Sequence, residues 1–299
     1  KYWYLLYANN EELLFSVSEE DEYLYVVPLV IVDGSSFPQM EKAEKIVKIE
    51  EYDSGLYADK NYIIFADGMS QIHVYDRKKK TFVKIKGIPE TNMYLSGLVG
   101  KYFILSSKPY KEKGKEKYAF SYYKIGSDQI HIMDPACYTS AAAIGDKKRK
   151  QVIYALRKGI WTYDLKQDKK KRLVKWNKKD YVSEMCIRKD RLFVFTGEKD
   201  EVYSYSLTGK EKQLHYEKEL TETLKKFEQQ NDLELVIDSV DVVNNKICIY
   251  SWQDDEYLIY LCYDPATKQL KKVRKSDPEM LYFLLCRDGA SVDEWDRDE

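Results

Sequence analysis

The 299-residue sequence is poor in the residues that mark specialised chains, with 13 glycines, 7 prolines, 5 cysteines and 3 histidines. That little glycine and proline argues against a disordered or collagen-like chain. Five cysteines without a Cys-x-x-Cys pair indicate neither a disulfide framework nor a zinc knuckle, so most are expected to be buried thiols. Gly-x-Ser-x-Gly and glycine-rich phosphate loops are also missing, which argues against serine hydrolase chemistry and nucleotide binding.

Long apolar runs and a charge excess are missing as well. The run from Tyr23 to Val32 is among the longest and is interrupted by Pro28, well short of the roughly 20 residues of a membrane span, so no transmembrane segment is predicted. The formal net charge is −1, which points to no nucleic-acid partner. Because the chain starts at Lys1 without a leader pattern, we expect an exported protein whose leader was removed, or a trimmed chain.

Aromatic and apolar residues are abundant. The sequence is 44% hydrophobic and contains 27 tyrosines, enough for a sizeable core. Since aromatic side chains suit a pleated, half-buried surface, the composition predicts an all-β protein.

A repeat runs through the chain. The segment 71–76 (QIHVYD) matches the segment 129–134 (QIHIMD), and 9–16 aligns with 244–251. The apolar residues that precede each polar turn recur every 41 to 56 positions, at Ala8, Ala58, Val99, Ile144, Ile187 and Val243. Periods of roughly 40 to 50 residues with four short strands are typical of β-propeller blades.

This period predicts a single domain over residues 1–299, a six-bladed β-propeller with four antiparallel strands per blade, and seven blades is the alternative. The blades are predicted at about 1–50, 51–88, 89–134, 135–176, 177–234 and 235–275, with a closing strand and tail at 276–299. In blade two, strands are predicted at 55–58, 62–66, 71–75 and 81–85.

Two insertions account for the uneven spacing. The charged stretch 108–117 predicts a solvated loop in blade three. Leu220, Leu224 and Phe227 recur at helical spacing, which predicts one short helix near 217–230 between blades five and six. The segment 281–286 has the pattern of a strand that closes the ring or begins an incomplete seventh blade.

With its blade rhythm and its Tyr-Asp-x-x-x-Lys hairpins, as at Tyr75 and Asp76, the chain resembles six-bladed β-propellers of the TolB-like and low-density-lipoprotein-receptor-like superfamily, many of them bacterial and exported. The resemblance covers nearly the whole chain. It departs from the family pattern because no blade carries Tyr-Trp-Thr-Asp, and the nearest string, at 161–164, is scrambled. The resemblance implies binding or scaffolding in most members and catalysis in a minority.

Histidine and calcium sites are not predicted. His73 and His131 occupy the same place in two matched segments, which favours a structural strand position. The acidic turns 19–22 and 254–256 lack the alternating ligand spacing of a calcium loop and are interpreted as hairpin tips. No metal and no cofactor are expected.

A ligand site is predicted where the inner strands of a propeller begin, at one mouth of the central channel. The predicted ligand-binding residues share a polar or aromatic side chain at that position and are Asp53, Asn92, Tyr94, Tyr138, Tyr181, Glu184, Asp238 and Asp241. They suit a sugar stacked on tyrosine, or a peptide. The alternative interpretation is that they cap strands and hold channel water.

The predicted function is therefore a non-enzymatic binding or scaffolding propeller, a monomer that recognises a protein or glycan partner at a bacterial cell surface and binds no nucleic acid. The alternative is a carbohydrate-active lyase or hydrolase that uses channel-mouth carboxylates such as Glu184 and Asp241, which would have to face each other across the site.

Charge is unevenly distributed along the chain. Residues 1–60 hold 13 acidic and 5 basic residues, whereas residues 147–179 hold 14 basic and 2 acidic residues. One interpretation is that these lysines line exposed outer hairpins, such as 169–172. The other is that the basic sector docks an acidic protein or polymer, which predicts an affinity that falls with salt.

Overall fold

The computed structural model describes most of the chain up to residue 273. The described residues are 2–8, 12–18, 21–32, 35–49, 52–67, 71–88, 93–107, 110–113, 115–137, 143–156, 158–176, 180–197, 199, 201–208, 213–243, 245–253 and 257–273. The predicted closing strand at 281–286 lies outside them.

The described strands form six antiparallel sheets that follow one another along the chain. Four sheets have four strands in sequential order, and the first and third sheets have five. The fold is therefore an all-β, six-bladed β-propeller, which confirms the prediction.

Blades one to three contain the first fourteen strands. Those of blade one are β1 (Tyr2–Ala8), β2 (Glu12–Ser18), β3 (Glu22–Val32), β4 (Ser35–Pro38) and β5 (Glu44–Lys48), with a 3-10 turn at Met40–Lys42. Those of blade two are β6 (Tyr52–Ala58), β7 (Tyr62–Asp67), β8 (Ile72–Asp76) and β9 (Thr81–Val83). Those of blade three are β10 (Met93–Val99), β11 (Tyr102–Ser107), β12 (Tyr110–Glu112), β13 (Lys115–Lys124) and β14 (Ile130–Cys137).

Blades four to six contain the remaining strands and one α-helix. Blade four consists of β15 (Ala143–Asp146), β16 (Gln151–Leu156), β17 (Gly159–Asp164) and β18 (Lys169–Lys175). Blade five consists of β19 (Val182–Arg188), β20 (Arg191–Thr196), β21 (Val202–Ser206) and β22 (Leu214–Tyr216), and helix α1 (Lys218–Asn231) follows it. Blade six consists of β23 (Leu235–Val243), β24 (Lys246–Gln253), β25 (Tyr257–Asp264) and β26 (Gln269–Lys272).

The third and fourth strands of three blades are joined by the same aspartate-capped turn. The Asp76 carboxylate accepts the backbone N–H groups of Lys78 and Lys79 at 3.1 and 2.9 Å. Asp164 and Asp264 cap the corresponding turns of blades four and six. Each turn ends on a residue with a left-handed backbone, at Lys80, Asp168 and Lys268. The Tyr-Asp pair that these turns share therefore encodes a hairpin in which the aspartate side chain accepts backbone N–H groups of the turn, although Asp168 stands in blade four where the pattern has Lys.

The chain divides into two compact units, and the first contains blades two, three and four. Within it, β10 lies against both β6 and β15, so first strands neighbour first strands. One apolar cluster joins blades two and three through residues such as Ile64, Phe103 and Tyr123. A second joins blades three and four through residues that include Tyr122 and Tyr154.

The second unit contains blades five and six and helix α1. The first strands β19 and β23 lie side by side, and the apolar core between the two blades continues onto the helix. Leu220 and Leu224 are buried in this core, and Phe227 packs against it. The prediction of a helix near 217–230 is confirmed, and its apolar face takes part in closing the core between two blades.

The charged stretch 108–117 was predicted to extend a hairpin of blade three as a solvated loop, and it extends that hairpin as paired strands instead. β12 pairs with the first part of β13, with Lys111 opposite Glu116 and Glu112 opposite Lys115. The backbone of this stretch therefore continues the sheet of blade three as a short hairpin.

The predicted equivalence of the two histidine segments is also wrong. His73 lies on the third strand of blade two, whereas His131 lies on β14, which is the fourth strand of blade three because β13 is its third. A short alternating pattern fits any half-buried strand and does not identify the neighbours of that strand. Both imidazoles nevertheless stack on a cross-strand ring, His73 on Phe65 and His131 on Tyr122.

Three cysteines, Cys186, Cys248 and Cys262, are free and buried, as expected of structural thiols. The side chains of Cys137 and Cys286 lie outside the described residues. Among those residues, none of the helices has the length and apolar content required to cross a membrane.

Replacement of Leu224 tests the contribution of the helix to the core. Leu224→Ala leaves a cavity in a fully buried site and is expected to lower the free energy of unfolding by about 2 to 5 kcal/mol. Chemical denaturation monitored by circular dichroism measures the loss. Lys226→Ala, on the exposed face of the same helix, is the matched control, and equal effects of the two changes would show that the apolar face is not buried.

Candidate functional site

The predicted ligand-binding residues fall into three groups. Tyr181 and Glu184 have described side chains, immediately before β19 and within it. Asn92 and Tyr138 lie outside the described residues. For the others, only the strand is described, and these residues are Asp53 on β6, Tyr94 on β10, and Asp238 and Asp241 on β23.

The structure brings part of this set onto neighbouring strands. β19 lies alongside β23, so Tyr181 and Glu184 precede and enter one first strand, while Asp238 and Asp241 lie on the next. The convergence of all eight residues at one channel mouth stays a prediction. So does the pairing of Glu184 with Asp241 that the enzyme alternative requires.

The first strands of four blades share a β-bulge that sequence reasoning missed. The ladder shifts by one residue at Ser96 in β10, at Ser183 in β19 and at Asp238 in β23. β6 is irregular at Asp53 as well. Bulges bend a strand and redirect its side chains, and they are common beside functional sites. Two of the predicted site residues, Asp53 and Asp238, therefore occupy the places where the backbone is locally distorted.

Tyr181 is the most prominent exposed aromatic side chain near this end of blade five. Its side chain is 58% exposed, yet the residue is held by its surroundings. Its N–H donates to the Asp180 carboxylate at 2.8 Å, and its carbonyl accepts the N–H of Gly197 at 3.1 Å. The ring lies directly on Gly197, where an added Cβ would be 2.1 Å from Cζ of the ring. Only glycine leaves room for the ring in this position.

The loop beneath the ring is itself tied together by hydrogen bonds. Asp180 is buried, and its second carboxylate oxygen accepts the N–H of Lys199 at 3.0 Å. Thr196 and Glu201 close the loop reciprocally, since each N–H donates to an oxygen of the other residue. We call Tyr181, Gly197 and Lys199 the blade-five platform. The Asp180 carboxylate accepts the N–H groups of both Tyr181 and Lys199 and so connects the tyrosine to the loop.

Helix α1 begins beside this loop. The Thr221 hydroxyl accepts the N–H of Val202 at 3.0 Å, and the Glu217 N–H donates to the Val202 carbonyl at 2.8 Å. Exposed helix residues line an open depression of about 550 Å³, and they are Lys218, Glu219, Glu222, Thr223 and Lys226. The start of helix α1 is thus hydrogen-bonded to the strand that follows the loop of the platform.

The platform has the properties of a contact surface. A fixed tyrosine ring offers an apolar face and a hydroxyl group at little conformational cost. Within the described part of the chain, no cluster of three or more His, Cys, Asp or Glu side chains has the geometry to hold a metal ion. The sequence signal that would have found the platform is the glycine at 197, immediately after the second strand of blade five.

A separate titratable cluster lies between blades three and four. The hydroxyls of Tyr122 and Tyr163 both donate to the same Asp168 carboxylate oxygen, at 2.8 and 2.7 Å. Burial, followed by these hydrogen bonds, raises the pKa of both phenols above their usual range. The two hydroxyls, and to a smaller degree the nearby His131, lower the pKa of the Asp168 carboxyl. Because all the groups serve to join two blades, we interpret the cluster as structural.

Comparison with known proteins supports the fold. No protein-family model matches the sequence, and no curated protein matches it. The chain is similar to a solved nidogen/laminin complex, with TM-score 0.51, 12% identity, and coverage of 92% of this chain and 95% of that one. The propeller domain of Cps50 (Swd1) from Myceliophteria thermophila gives TM-score 0.56, 8% identity, and coverage of 92% and 88%.

A third similar structure is a puromycin-hydrolysing peptidase from Mycobacterium tuberculosis. It gives TM-score 0.53 and 10% identity, and the match covers 92% of this chain but only 47% of the peptidase. At these identities the likeness shows the fold alone. Membership of the TolB-like superfamily stays a prediction.

The contact between Tyr181 and Gly197 can be tested by a double-mutant cycle. Gly197→Ala forces the ring off the loop and is expected to lower the free energy of unfolding by about 1 to 3 kcal/mol. In a Tyr181→Ala background the same change is expected to cost much less, because nothing then opposes the new methyl group. Denaturant titration of the four proteins measures the coupling. Equal costs in both backgrounds would mean that the ring does not rest on Gly197.

The Asp168 cluster predicts the alkaline behaviour of the protein. The folded state raises the pKa of both phenols, so these groups stay protonated to a higher pH in the folded protein than in the unfolded chain. The stability that they contribute is therefore complete below pH about 10 and falls as the pH rises further. Asp168→Asn is expected to lower the pKa of Tyr122 and Tyr163 towards the usual value and to weaken this loss. Tyrosine ring NMR during a pH titration follows each phenol.

Glu201→Gln is the matched control for that titration. The Tyr203 hydroxyl donates to Glu201, and burial and this bond raise its pKa. The control is therefore expected to lower the pKa of Tyr203 alone. Unchanged titration of Tyr122 and Tyr163 in Asp168→Asn would show that Asp168 does not act on them.

Proposed function

We propose that this protein is a binding propeller that recognises a protein or glycan partner, and that Tyr181 anchors the contact. The observation that carries the proposal is an aromatic ring that is largely exposed and yet fixed on a hydrogen-bonded loop. Side chains of this kind dominate many interfaces because they bury much area and lose little freedom on binding.

Rigidity is the feature that distinguishes Tyr181 from an incidental surface residue. Asp180 restrains the backbone on both sides of the contact, and Gly197 allows the ring to lie against the loop. Binding of a partner therefore costs little conformational entropy in the platform, because the platform is already ordered. Lys199 and the helix residues beside it supply the polar rim expected around such an anchor.

The comparisons support a binding role at the level of fold. One similar structure is described as a complex of nidogen with laminin, which is consistent with propellers that bind other proteins. A bacterial cell-surface location is part of the proposal, and the resemblance found in the sequence supports it. Fold alone does not determine activity, so the proposal depends on the platform.

Substitution of Tyr181 tests the proposal. Wild-type protein would first be screened against a glycan array and a displayed random-peptide library, and the dissociation constants of the ligands found would be measured. Tyr181→Ala is expected to weaken them about 30-fold, the loss typical of an interface anchor. Phe82→Ala, which removes a 44% exposed aromatic ring from blade two, is the matched control and is expected to leave affinity unchanged.

Two results would contradict the proposal. Ligands that bind equally to wild type and to Tyr181→Ala would remove Tyr181 from the contact. Turnover of a bound glycan that is lost in Glu184→Gln would instead favour the carbohydrate-active alternative. Thermal unfolding of each variant separates loss of binding from loss of fold.

A further inference from the structure

The edge strand of blade four is long and rich in lysine. β18 spans seven residues, close to the eight of β14, whereas the fourth strands β9, β22 and β26 span three, three and four. An edge strand directs alternate N–H and C=O groups away from its sheet, and a long one is a template for a further strand.

Exposed lysines surround this strand. The turns 147–150 and 165–168 lie at the same end of the sheet, because the residues that flank them are cross-strand neighbours in one row, from Asp146 through Gln151 and Asp164 to Lys169. We define the basic patch as five of the exposed lysines of these turns and of β18, and they are Lys147, Lys150, Lys166, Lys169 and Lys171. Within the part of the chain that the structure describes, none of the five is paired with an acidic group.

The carboxylates of blade four do not neutralise the patch because they are engaged elsewhere. Asp146 is buried and binds Arg149 and Gln151. Asp164 caps its own turn, and Asp168 accepts two tyrosine hydroxyls. Arg149 offsets the charge of Asp146, so five lysines remain against the two carboxylates of Asp164 and Asp168, and the patch keeps a net positive charge.

The other face of β18 holds the strand in place. Lys170 forms an ion pair with Asp134 of blade three, and its Nζ lies 4.4 Å from the centre of the Trp161 ring. Arg172 lies over the same ring at 5.8 Å. Because side chains alternate along a strand, Lys169 and Lys171 lie on the opposite face from these anchors.

We infer that β18 binds an acidic, extended segment of a partner protein as an added strand. Backbone hydrogen bonds to the edge would provide affinity, and acidic side chains at alternate positions would lie opposite Lys169 and Lys171, where opposite charges are favourable. A nucleic acid is less suited to this surface, since Lys170 and Arg172 cover the Trp161 ring on which a base would stack. The surface is distinct from the blade-five platform and does not depend on it.

A labelled peptide of four Glu-Thr repeats is the probe for this inference, with binding followed by fluorescence polarisation. We expect binding that weakens as salt rises from about 50 to about 200 mM, because the lysines are exposed to solvent. Lys169→Glu combined with Lys171→Glu is expected to weaken binding at least about tenfold. Lys84→Glu with Lys86→Glu is the matched control, since this pair has the same spacing and exposure beyond the short strand β9 and should leave binding unchanged.

Peptide variants separate strand addition from simple charge attraction. The same peptide with every backbone nitrogen methylated keeps its side-chain charge but loses the strand-pairing donors of both edges, and is expected to bind at least about tenfold more weakly. Equal binding by the methylated peptide would overturn strand addition. Equal binding by the charge-reversed protein, or tighter binding of an oligothymidylate than of the peptide, would overturn the assignment of β18 to an acidic protein segment.

The outcome of this peptide experiment can be distinguished from the outcome of the Tyr181 experiment that tests the proposed function. Tyr181→Ala is expected to leave the affinity for this peptide unchanged, because the platform and β18 belong to different blades. Circular dichroism of the charge-reversed variant checks that it folds, which is expected since both changed side chains are exposed.

Discussion

The aspartate that caps the turn between the third and fourth strands fixes the strand register of blades two, four and six, and the packing of these blades depends on that register. Asp76, Asp164 and Asp264 satisfy backbone donors in their turns, and a left-handed residue follows each turn. A slip of one residue in a strand would exchange its two faces. In a blade whose apolar side chains meet those of neighbouring blades, such a slip would place charged residues in the core. The turn chemistry and the burial pattern therefore have to agree.

Burial on both faces of the sheets then determines which polar groups remain exposed and able to contact a partner. In blades three and four, Tyr122, Tyr163 and Asp168 satisfy one another, and Lys170 lies between Asp134 and Trp161. These groups have partners inside the fold and contribute to its stability. Other polar and aromatic groups are fixed by the fold and yet remain exposed to solvent, and these are the residues available to bind a partner.

Two such groups occur, and they differ physically. The platform of blade five offers a rigid aromatic face whose affinity would come from buried area, so its binding would depend little on salt. The edge of blade four offers an unpaired strand with a net positive charge, so its binding would depend on salt and on backbone pairing. Each surface suits a partner of different chemistry.

Much of the fold was predictable from the sequence because it is encoded locally. The alternation in blade two predicted its four strands, and Leu220, Leu224 and Phe227 predicted the helix, since periods of 2 and 3.6 depend only on neighbours along the chain. The candidate site was predictable only in part. Tyr181 was identified as the residue before a first strand, but Asp180 and Gly197, which make its ring rigid, were not. Their contacts with Tyr181 join a residue just before β19 to a residue just after β20, and they form only when these two strands lie side by side.

The sequence by itself determined the all-β class, the repeat and its turns, because alternation, turn residues and spacing act over a few positions. Tertiary structure alone decided that His131 lies on a fourth strand, that the Tyr181 ring lies on Gly197, and that Lys170 of blade four pairs with Asp134 of blade three. These outcomes depend on which strand becomes the neighbour of which. That choice is made by packing and charge pairing between distant parts of the chain, which no local pattern records.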